Sequence, residues 1–159
     1  AECPALFVYN REAGAEWFNL KLSKSRRLES AYRFAGWLMG QAVNNRCELD
    51  VRFPRVLFKR ILEGAKFSPS MELLQEFDPE AARGIRSVER LGNKDFAALV
   101  ELEGLPKSTT RRMAVQRAVE DVLDHTIAWQ FQAMRTGFKL ALRHDGLRLF
   151  GVTDEDLHE

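Results

Sequence analysis

Cysteine is nearly missing: Cys3 and Cys47 are the two in 159 residues, too far apart and too few for a disulfide framework or a thiolate metal site. Net charge is nearly missing as well. The 24 Lys and Arg against 23 Asp and Glu leave +1, so no general field draws the chain to nucleic acid or to an anionic membrane. No long apolar run exists, since the stretch between Arg33 and Asn44 is about half of the ~20 residues a membrane span requires. Repeats, low-complexity tracts and glycine-rich phosphate loops are also lacking. The opening "AECPALFVYN" has acid and proline where an export signal has basic residues and an apolar core. The expectation is therefore an intracellular setting, cytoplasmic or nuclear, and a chain excised from something longer.

Candidates for chemistry are equally sparse. His125, His144 and His158 are scattered, with neither an HExxH pattern nor Cys or His at ligand spacing, so they read as surface or loop histidines and no metal or cofactor is expected. Glu101 with Glu103, and Asp154 to Asp156, read as solvated faces. Lys21, Lys24, Arg26 and Arg27 form a basic run without an aromatic stacking platform, which reads as a solvated loop. Cys47 lies between Arg46 and Glu48, whose effects on a thiol oppose each other, and is expected to be a small residue buried among large apolar side chains.

What the chain does hold is helical pattern. "ALFVYN", "REAGAE" and "WFNLKL" predict strand, turn, strand around Gly14. Residues 28 to 44 predict a helix apolar on most sides, hence buried. Pro54 and Gly64 bracket a second helix, Ser68 and Pro69 start a short third, and Asp78 caps a fourth with Pro79 in its first turn. Residues 92 to 108 fit either a helical turn or a shortened hairpin. From Thr110 a long helical pattern runs through Phe138, broken near Asp124 and His125 and ended by Asp145 and Gly146. A short strand at "LRLF" and a helix capped by Thr153 follow. The sum is one domain over residues 1–159, mainly α with a small β-hairpin.

Two glycines stand inside the first helix, Gly36 and Gly40, and each costs about 1 kcal/mol relative to alanine. One turn apart, they form a groove that a neighbouring element can enter closely. The expected neighbour is the helix around Gln130 to Phe138, with Gly137 as its own small residue. Leucine at either glycine should be destabilising and alanine milder. Asp50, after the turn, is expected to accept from backbone N–H groups.

An aromatic, any residue, Phe34, then Gly36, Gly40 and Ala42, then Leu49, Asp50 and Phe53 resembles the signature segment of the HECT ubiquitin-ligase domain. "LFVY" at 6 to 9, "LFKRILEG" at 57 to 64, the Asp78-Pro79-Glu80 triplet, Gln130 with Ala133, Gly137 and Phe138, and "LRLF" followed by Asp156 and Leu157 resemble further family motifs in the family's order. Met134 replaces the family's first Phe, "DFAALVELEGLP" fills the place of a longer hairpin insertion, and the closing acidic-Leu pair sits slightly farther from Phe150 than usual.

The resemblance implies the large subdomain of the N-terminal lobe, without the subdomain that docks the conjugating enzyme and without the C-terminal lobe. It implies a non-catalytic scaffold fragment of a ligase that takes ubiquitin from a conjugating enzyme onto a C-lobe cysteine and passes it to a lysine of a protein substrate. Some family members hold a second ubiquitin on this subdomain, partly through the early hairpin, which makes Tyr9 and Trp17 candidate contacts. The competing reading is a helical adaptor domain unrelated to ubiquitin.

Overall fold

The computed structural model describes residues 4–142; the expected strand at "LRLF", the Asp145–Gly146 stop and the Thr153 cap lie outside the described residues. Within them the protein is mainly α with one antiparallel hairpin, β1 (Phe7–Asn10) and β2 (Ala15–Phe18), paired Phe7 to Phe18 and Asn10 to Ala15. Asn10 Oδ1 accepts from the N–H groups of Glu12 and Ala13, and Gly14 supplies the left-handed backbone, φ 60°, that closes the turn. The second strand was expected to continue to Leu22 but stops at Phe18. There the Asn19 side chain donates to the Ala5 carbonyl and accepts from Lys21 N–H, turning the chain.

The described chain divides into two compact units. In the first, residues 4–67 and 126–142, the hairpin is joined by α1 (Arg26–Asn45), α2 (Arg55–Glu63) and α7 (Ala128–Ala141). Ser25 caps α1 by accepting from Leu28 N–H. The helix ends at Arg46, which takes the left-handed conformation (φ 53°) that glycine usually fills, and the N–H of Cys47 closes back on the Ala42 carbonyl at 2.9 Å. Pro54 and Gly64 bracket α2 as the sequence indicates, Gly64 with φ 59°.

The core of this unit holds Phe18, Tyr32, Leu57, Ile127, Met134 and Phe138. Arg60 is buried with them because it falls on the same stripe of α2 as Val56 and Leu57, and its guanidinium lies over Phe131, 3.8 Å from the ring centroid. One expectation fails here: α1 is not buried all round. Phe34, Trp37 and Leu38 face out, with Phe34 and Trp37 stacked on each other at 5.9 Å.

The second unit, Ser68–His125, contains α3 (Met71–Phe77), α4 (Pro79–Ser87), α5 (Asn93–Leu102) and α6 (Arg111–Leu123). Three of its four helices start on a side-chain oxygen: Ser70 accepts from Leu73, Asp78 from Ala81 and Thr110 from Met113. The third helix of the chain thus starts two residues later than Ser68 and Pro69 suggest. Residues 92 to 108 resolve as a helix, α5, whose last turn closes through Leu105 N–H to the Val100 carbonyl around Gly104. Arg111 ties α5 to α6, donating to Leu91 O and Asn93 Oδ1 and lying over Phe96. The break expected near Asp124 is the end of α6.

Candidate functional site

Two places gather the residues singled out by the sequence: the crossing of α1 with α7, and the hairpin edge. At the crossing, a Cβ placed on Gly36 would overlap the carbonyl oxygen of Met134, and one placed on Gly137 would overlap the carbonyl oxygen of Arg33. At Gly40 it would stand 2.6 Å from the Ala141 Cβ and 2.8 Å from the Phe138 oxygen. The helices therefore touch backbone to backbone. The contacts move from Gly36 and Met134 to Gly40 and Ala141, forward along both helices. Even alanine is a severe change at Gly36, because what its methyl group meets is a carbonyl and not the movable end of a side chain.

Tyr32 lies on the face of α1 toward the hairpin. Its hydroxyl donates to the Leu6 carbonyl at 2.6 Å, and its ring meets those of Phe7, Phe18 and Trp129 edge-on or tilted. Burial pushes its pKa from 10.0 to about 12, against a smaller lowering by the nearby Asn19 backbone N–H. Tyr32 thus joins α1 to the strand that carries Tyr9.

Of the two hairpin candidates, Tyr9 is 61% exposed and Trp17 only 7%. Strand alternation alone does not separate them. Trp17 is covered on its own side of the sheet and packs against the Phe18 ring at 5.4 Å, so it offers no surface to a partner. The exposed large side chains of the hairpin strands are Tyr9 and, on the opposite face, Val8.

Cys47 is exposed, contrary to its expected burial, because the left-handed residue Arg46 turns the chain out of α1 just before it. Asp50 is exposed too, and among the described residues no backbone N–H donates to its carboxylate, so the acceptor role expected of it is not seen. His125 pairs with Asp121 at 2.7 Å on the surface. Among the described residues no group of three or more His, Cys, Asp or Glu could hold a metal ion, and no helix is long and apolar enough to cross a membrane.

Sequence reasoning counted Tyr32 only as an apolar residue of the first helix, without a role for its hydroxyl, and passed over Arg60. A signal existed for both: each is a polar-tipped residue at helical spacing within an apolar stripe, where burial demands a partner for the tip.

The family model described as HECT-domain (ubiquitin-transferase) matches residues 3–157. Among relatives, the chain is 27% identical over 155 residues to the Schizosaccharomyces pombe protein named probable E3 ubiquitin-protein ligase mug30, covering 84% of this chain and 19% of that one. It is 27% identical over 176 residues to probable E3 ubiquitin-protein ligase HECTD2 of Mus musculus, covering 91% and 22%, and 25% identical over 195 residues to the Homo sapiens protein of that name, covering 96% and 25%. The chain spans about a fifth to a quarter of the length of these relatives. A family match over nearly the whole chain excludes the reading as an adaptor unrelated to ubiquitin, and the chain belongs to the HECT-domain (ubiquitin-transferase) family.

Proposed function

We propose that this chain is the large N-lobe scaffold of a HECT-type ubiquitin-protein ligase, acting with a ubiquitin-conjugating enzyme, ubiquitin and a protein substrate. In this reading ubiquitin passes through a cysteine of the C-terminal lobe, which is not in this chain, before reaching a substrate lysine. The observation that carries it is the crossing: the segment with Phe34, Gly36 and Gly40 and the segment with Gln130, Ala133 and Gly137, both of which carry family motifs, pack on each other through those glycines. A scaffold of this kind supplies rigid placement and no reacting group.

The parent protein, incubated with activating enzyme, conjugating enzyme and ubiquitin, should form a thiol-sensitive ubiquitin adduct, and residues 1–159 alone should form none. An adduct on the isolated chain that disappears in Cys47→Ser would overturn the scaffold reading.

The exposed edge of β1 supports a second role, weak non-covalent contact with ubiquitin through Tyr9. Aromatic side chains at protein surfaces are frequent interface anchors. Labelled ubiquitin should shift at its Ile-centred apolar patch at roughly 0.1–1 mM protein, the range of a small transient contact. Tyr9→Ala should weaken those shifts without loss of fold, whereas Trp17→Ala acts through stability. Unchanged ubiquitin spectra at the highest soluble concentration would leave the hairpin a purely architectural part.

A further inference from the structure

Past the end of α2 a cleft of about 270 Å³ opens between the Ile61–Lys66 segment and α7, lined by Ile61, Leu62, Glu63, Lys66, Arg135 and Lys139 among others. Three of these are cations and one is a carboxylate. Glu63 already pairs with Lys59 at 3.3 Å, while Lys66, Arg135 and Lys139 have no carboxylate partner among the described residues. Three like charges gathered at one concavity, whose one lining carboxylate is already paired elsewhere, repel one another, and the repulsion is relieved when an anion enters.

Arg135 shows the imbalance most sharply. Its guanidinium lies against Gly64, where any Cβ would overlap Nη2, so the positive-φ glycine leaves the room that lets the side chain lie there. In that position Nε is shielded from water and has no acceptor. A buried donor without an acceptor is a costly arrangement, and an anion that accepts from Nε and an Nη together would remove that cost. Two parallel N–H donors match a pair of oxygens on one phosphorus or carbon atom.

We infer that this cleft binds a phosphoryl group, held by the Arg135 fork with Lys139 and Lys66 completing the charge. Three cations without a carboxylate partner among the described residues match a dianion better than a single carboxylate. The shared chemistry is a phosphate dianion, either free or carried on a phosphoserine of a protein segment.

Amide spectra of the isotope-labelled chain, titrated at physiological salt with inorganic phosphate, with a phosphoserine peptide and with its unphosphorylated counterpart, test this. Saturable shifts at Gly64, Lys66 and Lys139 are expected with the phosphorylated ligands and not with the unphosphorylated peptide. Equal affinity for phosphate and phosphopeptide assigns the site to the free ion; tighter binding of the peptide assigns it to a phosphorylated segment. Arg135→Gln should weaken binding about tenfold or more, as loss of a bidentate pair does. Lys139→Gln, at an exposed position that leaves the fold intact, should weaken it about threefold, as loss of one exposed charge contact does. Shifts spread equally over Lys21, Lys24, Arg26 and Arg27, or Lys139→Gln binding as tightly as the parent, would overturn the site.

Discussion

Residues 4–67 with 126–142, and residues Ser68–His125, are both helical units, yet different forces fix their geometry. In the first, two helices of 20 and 14 residues meet where side chains have been removed, at Gly36, Gly40 and Gly137, and the close approach of backbones sets the angle. In the second, the helices have 7 to 13 residues, shorter than an isolated helix in water normally sustains, and three of the four begin on a capping oxygen. One unit is specified by what its sequence omits and the other by polar residues placed at helix starts. Substitutions of the two kinds should therefore behave differently.

The largest effect is expected at the crossing. Gly36→Ala and Gly137→Ala each force a methyl group into a carbonyl oxygen, so the helices must separate, at a cost of about 3 kcal/mol or more, the upper range for overpacking. The better helix propensity of alanine offsets only about 1 kcal/mol of this. Urea melts measure the loss; midpoints equal to the parent's would mean that the backbones do not touch.

Next is the pH response of Tyr32. Below pH 10 its hydroxyl is protonated in both folded and unfolded chains, and its contribution is constant. Between pH 10 and about 12 only the unfolded chain ionises, so stability falls as pH rises, by roughly 2–3 kcal/mol at the end of that window. Tyr32→Phe has no such group. It should be about 1 kcal/mol less stable than the parent at pH 8, from the lost hydrogen bond to Leu6, with the gap closing or reversing by pH 11.5. A gap that stays constant over that range would remove the burial account of Tyr32.

These two effects also mark what could be read in advance. The glycine spacing was legible because glycine inside a helix has few physical reasons to be there, and the cap at Asp78 was legible because a cap is a local chemical requirement. Three features were less so. The end of β2 depends on the Asn19 side chain reaching back to Ala5, a contact no strand pattern contains. The outward face of Phe34 and Trp37 is invisible to a count of apolar residues, because the crossing consumes the glycine face of α1 and leaves the aromatic one outside. Trp17 and Tyr9 look alike as hairpin aromatics, and only the covering of each side of the sheet separates them.

Within the second unit, Asp78→Ala removes the oxygen that accepts from Ala81 and should cost about 1 kcal/mol. Hydrogen exchange should quicken chiefly at the start of α4, the local response expected of a unit held by caps. Quickening across the whole chain to the same degree would show that the two units do not differ in this way.

The smallest effect is a gain. Arg46 holds the left-handed cap of α1, which costs a non-glycine residue about 1–2 kcal/mol. Arg46→Gly relieves that strain but adds freedom to the unfolded chain, for a net stabilisation of about 0.5 kcal/mol, seen as a small rise in melting temperature. A fall would mean that the arginine side chain contributes more than its backbone loses.

The crossing has one more consequence, in time instead of space. Gly36 and Met134 lie on opposite sides of the whole Ser68–His125 segment in the chain, so their contact closes a long loop and cannot form on a ribosome until α7 has emerged. The intervening segment, whose contacts lie within its own residues, can fold first, while α1 waits with Gly36 and Gly40 uncovered. A released chain ending just before residue 128 would hold the second unit structured and the first unfinished.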